Sequence, residues 1–543
     1  MKKAIKLLSL LLALVMATAV FSACGGENKV STGDTFTYWV PMDNSVAQTH
    51  TSFNELLMYQ EMEKATGTKV EFIHPAQGST GSEAFQILLS SGDYPDMIEY
   101  RWTNYAGGAQ KAIDDGVIIS LNEYMEDYAP NYYDYMEGEK GKENGYLYKA
   151  QSITNSGNYY GFNNMNIGTH RGFFGPYVRK DLLEKWNLDV PQTIDDWELV
   201  LKTAKENGFR APLTGGSTMY SITGVETFNT AWNVGKDWYV DNGIIKYGPM
   251  EKAYKDYIKR MAEWTKKGYV DPDYITNDGT NVEGYMTNGT SMAAFGYIGS
   301  GIGKLLPAMA QRDPEYDLVA CPYPVMKKGD IPWFQEVQPE SNGPTIAIST
   351  QCGQDNEERY KAAISWCDYL YSEEGTILKC FGIENDTFVI EKGEDGKDHF
   401  VYTDKIKDHE KIGAHDVEAA LYHFFRPANS PGLNQHPDYL NGFYPYKQQI
   451  DAFEVWNLYV DEAKKHVLPP LSYTDEEATQ KANIEIKITD NLDAAVSNII
   501  LGKADVKTLD TAIENALKGG LKDLVKIQQD AYDRYIKVVN ESK

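Results

Sequence analysis

Cysteine is scarce in this chain. There are five in 543 residues, and no two stand in a Cys-x-x-Cys spacing, which removes the common zinc and dithiol readings. Basic residues are in deficit as well: Lys and Arg total 52 against 78 Asp and Glu, a formal charge of −26. A surface of that sign repels phosphate backbones and anionic headgroups, so no nucleic-acid partner is expected, and no membrane attachment through a basic patch. Past the N-terminus no apolar run reaches the length of a membrane span. The serine-hydrolase elbow Gly-x-Ser-x-Gly does not occur. His409-Glu410 is followed by His415, two residues too late for a zinc-protease helix. Gly299–Lys304 resembles a phosphate loop, but Ile298 holds its first glycine position and Leu305 replaces the Ser/Thr after the lysine; it reads as a flexible loop near a cleft. Asp271, Asp273, Asn277 and Asp278 lack EF-hand spacing. No catalytic residue, metal site or cofactor is expected.

What is present describes an exported globular protein. Hydrophobic residues make up 42% and charged residues 24%, the balance of a packed chain, and the length calls for more than one core. Aromatics reach 12%, with 38 Tyr and 10 Trp, which suits surfaces that grip flat, amphipathic ligands. Lys2, Lys3 and Lys6 precede an apolar run from Leu7 to Val20, and Phe21-Ser22-Ala23-Cys24 follows. That order predicts a signal peptide over residues 1–23. The small residues before Cys24 resemble a bacterial lipobox, with Phe21 where Leu is usual. Lipidation of Cys24 is the expectation, and an ordinary cleavage with Cys24 incidental is the alternative. Residues 24–34 then form the anchor and a polar tether. Cys321, Cys352, Cys367 and Cys380 are expected as free thiols.

Along the chain, strand and helix signals alternate first. Phe36–Val40, Lys69–Ile73 and Asp96–Tyr100 read as strands, separated by helices that stop at Gly67 and Gly92. That β-α-β-α-β order implies parallel strands. A second unit begins near Phe173. Thr193 caps a helix with Asp196 at its third position, and Trp197, Val200, Leu201 and Ala204 mark its buried face. Leu318–Ala320 and Thr345–Ser349 read as strands, Asp395-Gly396 as a hairpin tip, and the chain after Thr474 as helices divided at Gly519-Gly520.

Ligands of open parallel sheets sit beyond the carboxyl ends of the strands. The residues there are Trp39 and Asp43, then Trp102, Asn104 and Tyr105. Aromatic faces stack on the C–H face of a sugar ring while Asp and Asn bond its hydroxyls. Trp39 and Trp102 could equally fill the core. Trp232, Trp238, Tyr297 and Trp333, in Gly-, Asn- and Pro-containing loops, are candidates for a facing wall, and Arg426 for a segment returning across a hinge.

Several stretches carry a family resemblance: Glu61–Pro75 (EMEKATGTKVEFIHP), Leu88–Tyr100 (LLSSGDYPDMIEY), Val178–Trp197 (VRKDLLEKWNLDVPQTIDDW), Ala362–Gly382 with its YLYSEEG, and Leu468–Tyr535. They resemble the long lipoprotein branch of the family 1 extracellular solute-binding proteins, the carbohydrate-capturing components of bacterial ABC importers. The resemblance implies an α/β, two-lobed, periplasmic-binding-protein-like (type II) fold with a hinge, an interlobe cleft and extra C-terminal helices. It divides the chain into a first lobe of 35–170 plus 350–400 and a second of 171–349 plus 401–543. The implied function is capture of an oligosaccharide outside the membrane and delivery to ABC permease subunits, by a monomer anchored through Cys24 at the outer face, or periplasmic where an outer membrane exists. Some relatives carry a calcium loop after the helix that here ends at Asn207; Gly208-Phe209-Arg210-Ala211-Pro212 stands there instead, so calcium is not carried over. A peptide or other amphipathic solute is the alternative ligand. A secreted two-carboxylate glycosidase is the rival class.

Overall fold

The computed structural model describes residues 35–541 apart from 43, 48, 169–170, 217–225, 394–395, 415–416 and 441–442. The leader, Cys24, the tether, Asp43 and Asp395 therefore lie outside the described residues.

The first lobe is built on a six-stranded sheet. Its strands are β1 (Thr35–Trp39), β2 (Lys69–Ile73), β3 (Met97–Tyr100), β4 (Phe162–Asn166), β10 (Ser341–Ile348) and β13 (Gly432–Asn434), in the order β13-β4-β10-β3-β1-β2. β1 runs parallel to both β2 and β3, with Tyr38 opposite Phe72 and Met97. β10 is antiparallel to β3 and β4, and β13 is parallel to β4. Side chains alternate across the sheet. Tyr38 and Met97 enter one core with Phe53, Phe162 and Trp366; Trp39 and Ile98 enter a second layer with Phe85, Ile118 and Ala347. Both faces are covered, so Met97 and Ile98 of β3 are each buried, on opposite sides of the sheet. Helices α1 (Leu57–Thr66) and α2 (Gly81–Ser91) connect these strands, and each ends on a glycine in left-handed backbone, Gly67 at φ 70° and Gly92 at φ 67°.

The second lobe holds the antiparallel sheet β8-β5-β9, from β5 (Phe174–Arg179), β8 (Ala293–Tyr297) and β9 (Leu318–Ala320). Its core gathers Trp197, Val200 and Leu201 of α3 (Ile194–Glu206) with Trp264 of α4 (Lys252–Lys266), Phe228 and Phe295. Thr193 and Asp196 form the reciprocal cap at the start of α3. A hairpin of β6 (Trp238–Asp241) and β7 (Ile244–Tyr247) lies beside it, and a second antiparallel pair, β11 (Phe388–Lys392) and β12 (Asp398–Tyr402), packs on the first core through Phe388 and Tyr402.

Three segments cross between the lobes: from β4 to β5, from β9 to β10, and from β13 to the helix Lys447–Trp456 that packs on β9. Asn457, just past that helix, ties the first crossing by accepting from the backbone N–H groups of Arg171 (2.8 Å) and Gly172 (2.9 Å). Gln335 of the second crossing donates to Trp456 O at 2.6 Å. The lobe boundaries differ from the expected ones. Residues 341–348 form the middle of the first sheet, and Tyr402, Ile406, Leu421, Leu433 and Phe443 belong to the first core. The chain thus returns to the first lobe after β9 and leaves it only near 447, because β10 and β13 need β4 as their pairing partner.

The glycine-rich Gly299–Lys304 segment is not a loop. Ile298–Gly303 winds as a π-helix and runs into the helix Lys304–Met309, because Ile298, Ile302 and Leu305 are buried at helical spacing. All four described cysteines are buried free thiols. Three helices close the chain, Asp475–Ile500, Lys507–Lys518 and Leu521–Glu541. Among the described residues no helix is long and apolar enough to cross a membrane.

Candidate cleft wall at the strand ends

At the carboxyl ends of β1 and β3 the first lobe opens into a cavity of about 640 Å³, a volume suited to a small organic ligand. Pro41 follows β1, Tyr100 ends β3, and Arg101 and Asn104 follow it. Gly81 and Ser82 open α2, and Pro344 comes from β10. Tyr422, which ends the helix Val417–Tyr422, and Arg426, Ala428 and Asn429, from the segment between that helix and β13, complete the wall. Two tyrosines, two carboxamides, a hydroxyl and two prolines therefore converge on one surface, and one face of the Tyr100 ring stacks on Phe85 at 3.6 Å.

Its floor is a buried ion pair. Arg426, 5% exposed, donates from Nη1 and Nη2 to the two oxygens of Glu99, each at 2.7 Å. Tyr38 Oη donates to Glu99 Oε2 at 2.7 Å, Arg426 Nη1 also donates to Tyr59 Oη at 3.2 Å, and the guanidinium lies 4.7 Å from the centre of the Phe53 ring. Burial alone would lower the Arg426 pKa, but Glu99 outweighs it and holds the cation well above its ordinary value. The arrangement is stiff: both terminal nitrogens of Arg426 and both oxygens of Glu99 are bonded within the protein.

The expected site residues scatter. Asn104 and Arg426 line the wall. Trp39 and Trp102 do not: they are 4% and 1% exposed and pack on Phe85 in the second layer of the first lobe. The reason is register, since Trp39 alternates to the face that α2 covers, and Trp102 Nε1 folds back to donate to Ile98 O at 3.4 Å. Tyr105 stacks beside Trp102 and donates to Asp115 at 3.0 Å; burial and that carboxylate push its hydroxyl up to about 12. In the second lobe Tyr297 meets Phe174 at 5.1 Å. Trp232 packs on Tyr257, Trp238 on Tyr247, and Trp333 lies flat on His466 at 4.3 Å. These four remain half-buried, and the structure does not gather them with the first-lobe wall.

Sequence reasoning missed Glu99, Tyr100, Tyr422 and Asn429. One signal was available: an acid inside the apolar strand Met-Ile-Glu-Tyr cannot stay buried unpaired, so Glu99 demanded a cation.

At the hinge-side end of the second lobe stand two further acids. Glu336 Oε2 accepts from the N–H groups of Phe173 (2.6 Å) and Phe174 (3.3 Å), yet burial pushes it up to about 7. Glu226, 8% exposed and in left-handed backbone at φ 55°, accepts from Asn229 Nδ2 at 3.3 Å and is pushed up by burial to about 8. A non-glycine residue held there is strained. Among the described residues no group of three or more His, Cys, Asp or Glu could hold a metal ion.

Comparison with known proteins now bears on this geometry. The lipoprotein LipO of Bacillus subtilis (strain 168) is 22% identical over 488 residues, covering 87% of this chain and 88% of its own. The fructooligosaccharide ABC transporter substrate-binding protein FusA of Streptococcus pneumoniae is 26% identical over 292 residues, about half of each chain (49% and 53%). Its structure in complex with kestose superposes with a TM-score of 0.68 at 18% identity, covering 93% of this chain and all of that one. The alginate-binding protein AlgQ2 without calcium ion superposes equally, 0.68 at 20% identity, covering 93% and 100%. These likenesses establish the two-lobed type II fold. The family described as bacterial extracellular solute-binding protein matches residues 47–377, more than half of the chain, and it is to this family that the protein belongs.

Proposed function

We propose that this protein captures an oligosaccharide between its lobes and delivers it intact to an ABC permease, held at the outer face of the membrane by lipid on Cys24. The observation that carries the reading is the first-lobe wall. Tyr100 and Tyr422 offer ring faces, while Ser82, Asn104 and Asn429 offer hydroxyl and amide groups around a cavity of about 640 Å³. That mixture fits a ring with an apolar C–H face and a rim of hydroxyls. The sugars in the relatives' own names, fructooligosaccharide and alginate, support the same class. A guest touching both lobes favours the shut state by its differential contacts, and three crossing segments supply the hinge.

Calorimetry of the full chain against plant, starch and host glycan fragments tests the capture. Binding, with the sugar recovered uncleaved, is expected; a folded sample silent to every class, or one that turns the sugar over, overturns it. Labelling cells with radioactive palmitate tests the anchor, with incorporation expected in the wild type and none in Cys24→Ser.

A further inference from the structure

We infer that the cleft takes an uncharged glycan and turns uronates away. This rests on the sugar reading above and goes on to name the chemical class of the sugar. Relatives divide on this point, kestose being neutral and alginate and polygalacturonan polyanions, so membership of the family leaves the question open. The charges of this chain's own wall decide it.

The buried cation of the first-lobe wall is already spent. Both ends of the Arg426 guanidinium lie on Glu99 at 2.7 Å, and Glu99 also accepts from Tyr38. A sugar carboxylate reaching this floor would have to displace a fixed, buried counter-ion or share its cation at close range with like charge. The N-terminus of α2, whose Gly81 and Ser82 stand in the wall, is answered in the same way. Thr80 Oγ1 accepts from the backbone N–H of Glu83, and the Glu83 carboxylate accepts from Thr80 N and Oγ1. An acid therefore already occupies the first turn, where the helix dipole would otherwise attract an anion. Arg101 lies on the exposed rim, where water and salt screen it.

A uronate closed onto this wall would meet an arginine already compensated by Glu99. A neutral sugar loses nothing by the same closure. Its hydroxyls exchange hydrogen bonds with Ser82, Asn104 and Asn429, and its ring faces meet Tyr100 and Tyr422.

The test is calorimetry of the full chain in mild detergent against two panels of matched length. One is neutral (1-kestose, cellotriose, mannotriose, lacto-N-tetraose); the other is acidic (trigalacturonate, trimannuronate). At least one neutral sugar should bind about 100-fold more tightly than any uronate, a gap of the size a misplaced charge produces. A uronate that binds more tightly than every neutral sugar overturns this inference and leaves the sugar reading intact. Heat from neither panel, with a folded sample, overturns both. Two further readouts address the cause. Glu99→Gln frees Arg426 and should raise uronate affinity about tenfold over wild type; a folded Glu99→Gln with no gain counts against the compensation argument. Should that variant not fold, wild-type salt dependence decides. Affinity for the neutral ligand should change less than about twofold between about 50 and about 500 mM NaCl, whereas a steep loss with salt would mean that a charge pair holds the guest.

Discussion

At the scale of single residues, burial separates those that hold the fold from those free to touch a guest. Trp39 and Trp102 are core side chains, so Trp102→Ala should cost about 3–5 kcal/mol of stability, read as a shift of the urea midpoint. Tyr100→Ala or Tyr422→Ala should instead weaken sugar binding by about 1–3 kcal/mol in calorimetry. Arg426→Ala leaves Glu99 buried without its cation and should destabilise by about 3–5 kcal/mol, while Arg426→Ala with Glu99→Leu should recover much of that loss. Two buried groups give stability a pH dependence of opposite signs. Lys379, fully buried, donates to the carbonyls of Ser430 (3.1 Å) and Leu433 (3.3 Å) and to Asn434 Oδ1 (2.5 Å), and burial lowers it to about 7. An unfolded lysine titrates near about 10.4, so between these values the unfolded chain binds more protons. Stability therefore rises with pH through that window and is lowest below it. Glu336 is raised to about 7 from an unfolded value near about 4.3. The folded chain binds more protons there, so its contribution is present below that unfolded value and lost as pH rises toward 7. Urea unfolding across the pH range should show Lys379→Met flattening the upper slope and Glu336→Gln the lower one.

At the scale of elements, what the sequence could disclose was whatever depends on neighbours in the chain. Glycine stops at Gly67 and Gly92, the reciprocal caps Thr193–Asp196 and Thr474–Glu477, and the break at Gly519-Gly520 are all where local chemistry puts them. Thr474→Ala should accordingly cost about 1 kcal/mol and fray the first turn of the 26-residue helix Asp475–Ile500, visible as faster amide exchange confined to that end. What stayed hidden depends on distant pairing. β10 is eight residues long, yet nothing in its composition says that it lies between β3 and β4 and antiparallel to both. β13 is three residues long, too short to register as a strand, yet its pairing with β4 places 432–434 in the first lobe. The cleft wall was lost for the same reason. Asn104 was legible because it follows a strand directly, whereas Tyr422 and Asn429 reach the wall only through the return of the chain along β13. Trp39 and Trp102 misled because a strand end offers two faces, and which one is covered depends on α2 packing across it.

At the scale of the whole molecule, the hinge is not the only link between the lobes. The helix Asp475–Ile500 packs on α4 of the second lobe and also touches the helix Gly108–Asp114 of the first; Leu521–Glu541 packs on β7 and on Leu147–Ala150. Leu492, Val496 and Leu524 are buried in the second core. Tyr535 and Val539, by contrast, are buried against Ala150 in a small cluster of their own, with Leu147, Leu471 and Ile536 around it. Next to it Glu340 of the second crossing accepts from Arg171 of the first and from Lys464 at 2.9 Å. The C-terminal helices thus brace the back of the hinge: rotation of the lobes must slide or part the contacts of Tyr535 and Val539, while both main cores stay intact. Val539→Asp places a charge in that cluster and leaves every crossing segment as it is. We expect the unliganded variant to keep its helical circular dichroism and to show a broader distribution of interlobe distances by double electron–electron resonance between one spin label per lobe. Saturating ligand should return it to the wild-type distribution, because contacts across the cleft then hold the lobes together. An unliganded distribution identical to wild type would mean that the brace does not restrain the lobes.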